Sequence, residues 1–161
     1  MRNTLIVRND KLIQEKRHDA YPAKGDWPEP TQCSTCGAVF VKGRWSWEAI
    51  EGKPYHTTCP ACRRTAENFP AGYVELAGAF FDLRKEEILN LATNIEKLEK
   101  SAHPLERIIA VVPNGKKTTI TTTGIHIARR IGEAISRAYQ GEYELQYAEG
   151  EKRLRVIWKR D

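Results

Sequence analysis

The motifs Cys33-Ser34-Thr35-Cys36-Gly37 and Cys59-Pro60-Ala61-Cys62-Arg63 hold all four cysteines of the chain, as two pairs with two residues between partners. That spacing lets one tight turn aim both sulfurs of a pair at a common ion about 2.3 Å away. The segment 37–58 then returns the second pair to complete a tetrahedron. Gly37 suits such a turn, because the residue after the second ligand often takes a positive φ that a Cβ disfavours. The alternatives are two disulfides or four buried thiols. No secretory signal precedes the cysteines, so a cytoplasmic chain with reduced thiols is expected. The reading is a structural zinc held by Cys33, Cys36, Cys59 and Cys62. With four thiolates as ligands there is no open position for water, so chemistry at the metal is not expected. His56, three residues before Cys59, reads as an exposed loop residue rather than a ligand.

A chain of 161 residues with 40% hydrophobic content can bury a modest core. Near the start only Leu5-Ile6-Val7 runs apolar before Arg8, which predicts neither a signal peptide nor a membrane partner. The net charge of +5 favours a polyanionic partner, and its placement is informative. Residues 1–30 read as a basic extended arm carrying Arg2, Arg8, Lys11, Lys16 and Arg17, closed by Pro28 and Pro30. At the far end Arg153 and Arg155 alternate with Leu154, Val156 and Trp158, which predicts a strand with one apolar and one basic face.

Residues 31–80 read as a zinc-ribbon-like module. Ala38 to Val41 is a short strand, and Gly43 to Trp47 turns into another with Trp45 and Trp47 on one face. These tryptophans either pad a thin core or, beside Arg44, form a platform for stacking bases. Arg63 and Arg64 either meet phosphate or stay solvated. Gly72 to Gly78 alternates as a strand leaving the module.

Residues 81–161 read as an αββαββ domain. The stripe Ile88, Leu91, Ala92, Ile95 and Leu98 predicts a helix over Leu83 to Ser101, stopped by Pro104. Ile108 to Val112 and Lys117 to Thr123 form a hairpin around Asn114-Gly115, and Thr123 caps a helix over Ile125 to Tyr139. Two strands around Glu149-Gly150-Glu151 follow. The expected class is α+β, with helices on one face of an antiparallel-dominated sheet. His126, Arg130 and Arg137 share a flank of the second helix. This is either a solvated face paired with Glu133 or a phosphate site extended by free N–H groups at the helix start.

No enzyme signature survives inspection. Asn114-Gly115-Lys116-Lys117-Thr118 has Ala110 in place of the first glycine of a phosphate-binding loop and Lys117 in place of its Ser or Thr. A non-enzymatic chain without a small-molecule substrate is expected.

The run Cys59 to Arg64, then Ala71-Gly72-Tyr73-Val74-Glu75-Leu76-Ala77-Gly78, an amphipathic helix, and His126-Ile127-Ala128-Arg129-Arg130-Ile131 resembles the Nmd-three family of large-ribosomal-subunit adaptors. That family pairs a CxxC metal site with a G-Y-Y-E strand and a later A-R-R helix. Here Val74 stands for the second tyrosine and Ala77 for an arginine, and the family's second cysteine set and barrel domain have no counterpart. Gly43 to Trp47, His103 to Arg107 and Thr122 to Ala134 are similar to patterns of short bacterial zinc proteins. The resemblance implies binding to the ribosome and its rRNA at the large subunit. A zinc module with basic ends suits such recognition independently. The expected function is a zinc-stabilised ribosome-binding factor acting in assembly or hibernation. The alternative is a zinc-ribbon protein adaptor or transcription-associated regulator.

Overall fold

The cysteine pairs are mounted on a small sheet and a helix. In the computed structural model, which describes residues 27–148 and 152–161, strands β1 (Thr31–Cys33), β2 (Val39–Val41), β3 (Arg44–Ser46) and β4 (Tyr55–Thr57) lie in the order β3-β2-β1-β4. Arg2, Arg8, Lys11, Lys16, Arg17 and Glu149 to Glu151, where a turn is expected, lie outside the described residues. Lys42 and Gly43 both take positive φ between β2 and β3, the geometry a two-residue hairpin turn needs. The Glu29 carboxylate accepts both of their N–H groups, at 2.8 and 3.1 Å. Helix α1 (Pro60–Glu67) follows β4, with Cys59 as its N-cap and Pro60 in its first turn. Asn68, in the left-handed region at φ 51°, ends it.

A second sheet contains β5 (Gly72–Ala77), β6 (Ile108–Asn114), β7 (Lys117–Thr122), β8 (Glu142–Ala148) and β9 (Arg153–Lys159) in the order β6-β7-β5-β9-β8. Between its strands run α2 (Ala79–Leu83), α3 (Lys85–Ala102) and α4 (Ile125–Tyr139). Both sheets are mixed, which corrects the expectation of an antiparallel-dominated one: β4 runs parallel to β1, and β9 runs parallel to β5. The cause is the position of β5. It enters between the β6–β7 and β8–β9 hairpins, antiparallel to β7 and parallel to β9, so it is the central strand of the larger sheet. The helix expected over Leu83 to Ser101 is α3, and the short helix α2 precedes it, the two separated by Arg84, which leaves helical geometry at φ −113°, ψ 23°.

Alternation and helical periodicity meet in one core. Val74 and Leu76 of β5, Ile120 of β7, and Leu154, Val156 and Trp158 of β9 pack with Ile127, Ile131 and Ile135 of α4 and Ile88 and Ala92 of α3. Each of these Val, Leu and Ile side chains contributes about 1.5–3 kcal/mol on burial. Along β5 and β9 the alternate residues Tyr73, Glu75, Arg153, Arg155 and Ile157 stay partly exposed on the opposite face, and Lys159 is exposed there. A smaller core under the cysteines holds Ala38, Phe40, Trp45 and Ala61, with Trp27 and Leu105 packed against it. Among the described residues, no helix is long and apolar enough to cross a membrane.

Candidate metal centre

The sulfurs of Cys33, Cys36, Cys59 and Cys62 all lie within 4.8 Å of one another, and those of Cys36 and Cys59 are 3.9 Å apart. Four sulfurs each about 2.3 Å from one ion would stand about 3.8 Å apart, so the cluster fits a tetrahedral metal ion. Backbone geometry holds it ready. Gly37, at φ 86°, carries the chain out of the first turn as expected. The Cys33 sulfur accepts N–H groups from Thr35 (3.4 Å), Cys36 (3.5 Å) and Cys59 (3.3 Å), and the Cys59 sulfur accepts that of Cys62 (3.4 Å). Burial opposes ionisation of Cys33, but these N–H donors outweigh it and lower its pKa to about 6. Burial pushes the Cys59 and Cys62 thiols up. His56 is exposed on β4 and is not part of the cluster.

Arg107, just ahead of β6, completes the centre from the other side. Its guanidinium donates to the sulfurs of Cys36 (3.0 Å) and Cys62 (3.2 Å) and approaches Cys59 (3.6 Å), while its Nε donates to the Pro104 carbonyl at 2.7 Å. The side chain is buried, and burial would depress its pKa, yet the sulfurs of Cys62 and Cys36 raise it. A fixed cation against thiolates offsets the negative charge that a divalent ion with four thiolates retains. Leu105 from the same loop packs on the small core, and the Trp47 indole donates to the Lys100 carbonyl at 2.8 Å, so this side of the module rests on the larger domain.

The same loop determines how α4 begins. Glu106 Oε1 accepts the Ile127 N–H at 3.0 Å, occupying the helix N-terminus that the sequence offered as an anion site. Thr123 is not the cap. Its hydroxyl donates to the Leu105 carbonyl (2.6 Å) and accepts the Arg107 N–H (2.9 Å), tying the loop to the end of β7. Burial raises the Glu106 pKa against the opposing pull of the Ile127 N–H and the nearby His126 and His103.

The sequence-nominated RNA contacts fall into separate environments. Trp45 is buried, its ring 5.2 Å from Trp27 and 5.5 Å from Phe40, so it belongs to the core of the module and offers no stacking face. Trp47 lies beyond β3, partly exposed. Arg64 is buried and donates to the Phe69 carbonyl at 3.0 Å, whereas Arg63 is exposed. His126 Nε2 and Arg130 Nε meet the two oxygens of the buried Glu99, at 2.9 and 3.0 Å, and Arg137 is exposed. Arg155 bonds Glu75 and stacks 4.6 Å from the Tyr73 ring centre, and Arg153 lies 5.9 Å from that of Phe69. Arg44, exposed and 3.7 Å from Glu48, meets Trp45 and His126 around one cleft. Arg107, Glu106 and Glu99 went unassigned in the sequence. The run His103 to Arg107 stood out as a pattern, but its partners are distant in the chain. No family model, curated protein or solved structure matches this chain.

Proposed function

We propose that the chain is a non-enzymatic, zinc-bearing protein that binds rRNA on the large ribosomal subunit, in assembly or hibernation. The observation that carries this reading is the face of the five-stranded sheet away from Val74, Leu76, Val156 and Trp158. Arg153, Arg155 and Lys159 of β9 and Lys117 of β7 stand there with Tyr73 of β5. Glu75 holds both Lys117 (3.1 Å) and Arg155, which fixes those cations at the cost of part of their charge. A sheet face with cations and an aromatic ring at its centre suits RNA, whose phosphates and unstacked bases meet such surfaces. The resemblance in Cys59 to Arg64, Ala71 to Gly78 and His126 to Ile131 supports the ribosome as the source of that RNA. Zinc fits the four-thiolate centre because it accepts tetrahedral sulfur without a remaining open position, and when bound it would supply folding energy rather than catalysis.

Tagged protein sedimented from lysate on a sucrose gradient tests the reading. Comigration with large subunits, lost after RNase and in an Arg153→Glu, Arg155→Glu variant, is the expected result. Protein that stays at the top of the gradient refutes it. The adaptor alternative is favoured by Tyr55, 61% exposed on the zinc module, and predicts comigration with a protein client that RNase leaves intact.

A further inference from the structure

A cleft of about 390 Å³ lies where the zinc module meets the start of α4, within the range of about 300–1,000 Å³ found for small-ligand sites. Arg44, Trp45, His103, Leu105, Glu106 and His126 line it. The walls are flat or apolar. The His103 and His126 rings stand edge to face, their centres 6.0 Å apart, and Trp45 and Leu105 complete the lining. One acceptor is left over. Glu106 uses Oε1 to cap α4, and its Oε2 accepts no hydrogen bond among the described residues. One exposed cation, Arg44, belongs to the same lining.

We infer that this cleft takes a single unpaired nucleobase bearing an exocyclic amino group, with the attached phosphate on Arg44. A planar ring can lie against the exposed His103 imidazole and Leu105, as bases do when they are read out of the stack. An amino group donates to Glu106 Oε2, the pairing by which carboxylates select cytosine N4. Uracil presents carbonyl oxygens on either side of its one ring N–H, which a carboxylate repels. The inference rests on the RNA-binding reading, and adds a base-specific contact to a surface otherwise built for phosphates.

The test is fluorescence anisotropy of the full chain with labelled oligoribonucleotides of about ten residues: all-cytidine, all-adenosine, all-uridine and abasic. Cytidine and adenosine oligomers are expected to bind about tenfold tighter than uridine or abasic ones. Glu106→Gln retains a carbonyl to cap Ile127 and replaces the free oxygen with an amide donor, so the preference over uridine should disappear. His103→Ala should bring cytidine down to the abasic level, and this variant decides the matter should the glutamine variant fail to fold. Equal binding of cytidine, uridine and abasic oligomers by the wild type overturns the inference. If Arg153→Glu, Arg155→Glu then still weakens all of them, the RNA reading stands without the cleft. Failure to bind any oligomer or ribosome overturns both.

Discussion

The Arg107 guanidinium lies 3.0 Å from the Cys36 sulfur, though the two residues belong to different sheets' surroundings and are far apart in sequence. Its other terminal nitrogen reaches Cys62 at 3.2 Å, so one planar fork spans both cysteine pairs. The cysteine cluster is therefore also the joint between the module and the larger domain.

Replacing that fork should loosen both metal and joint. Arg107→Ala is expected to weaken metal binding about 10- to 100-fold, the range seen when groups supporting the ligands are lost. Arg107→Lys should be intermediate, keeping a charge but not two directed donors. Chelator competition measures the first effect. Calorimetry measures the second, since loss of the joint should split one unfolding transition into two. Cys36→Ser should unfold the module while the core around Val156 and Ile131 persists, because the two cores are separate clusters. Wild-type zinc retention and a single transition in Arg107→Ala would leave Arg107 as a mere neighbour.

Gly124 is needed for the loop to cap α4. A Cβ built there would stand 2.5 Å from Glu106 Oε1 and 2.7 Å from Oε2, too close for either to stay. Gly124→Ala should therefore displace the carboxylate from Ile127 and destabilise the protein by about 1–2 kcal/mol. Chemical denaturation measures this. Glu106→Ala should cost a similar amount, and the double variant little more, since both changes remove the same cap.

The ends of α4 and the alternation of β9 were legible because both depend on short-range periodicity: Ile127, Ile131 and Ile135 for one, Leu154, Val156 and Trp158 for the other. The cysteine cluster was legible from spacing alone. Helix α1 was missed because its N-cap is Cys59, a residue outside the usual capping set, although Pro60 marked the start. The parallel pairing of β5 with β9 joins residues such as Val74 and Val156, which no local pattern connects. Thr123 was the natural cap by residue type, but its hydroxyl is engaged by Leu105 and Arg107, and a carboxylate from a distant loop takes the role. Trp45 shows the same limit: its sequence neighbours allow core or surface, and only its packing on Trp27 and Phe40 decides.

Stability should depend on pH through Glu106. Burial, only partly offset by the Ile127 N–H and by His126 and His103, raises its folded pKa above the unfolded value. The folded state thus binds this proton more tightly. The resulting stabilisation is full below the unfolded pKa and is lost as pH rises through the folded one. Glu106→Gln removes that dependence. Relative to wild type, the variant should gain stability as pH rises above the ordinary carboxylate range, and urea unfolding of both proteins measures the difference. Acid release of metal affects both alike and cancels. A difference that is flat with pH would mean that the carboxylate ionises as freely in the fold as outside it.

Arg130 and Arg137 share a helix flank but should respond unequally to charge reversal. Arg130 Nε stands 3.0 Å from Glu99 Oε2, and the Glu99 side chain is only 11% exposed, so Arg130→Glu sets a second carboxylate against a buried one. His126, on the other Glu99 oxygen at 2.9 Å, compensates for part of that charge only when protonated. Because Arg130 itself is 41% exposed, solvent moderates the cost, and about 1–3 kcal/mol is expected. Arg137 is exposed near the end of α4, and Arg137→Glu should change stability by no more than about 0.5 kcal/mol. Thermal unfolding of the two single variants separates the cases. Equal, small effects would show that the Glu99 network does not hold α4 to α3, and would restore Arg130 as a free candidate for phosphate.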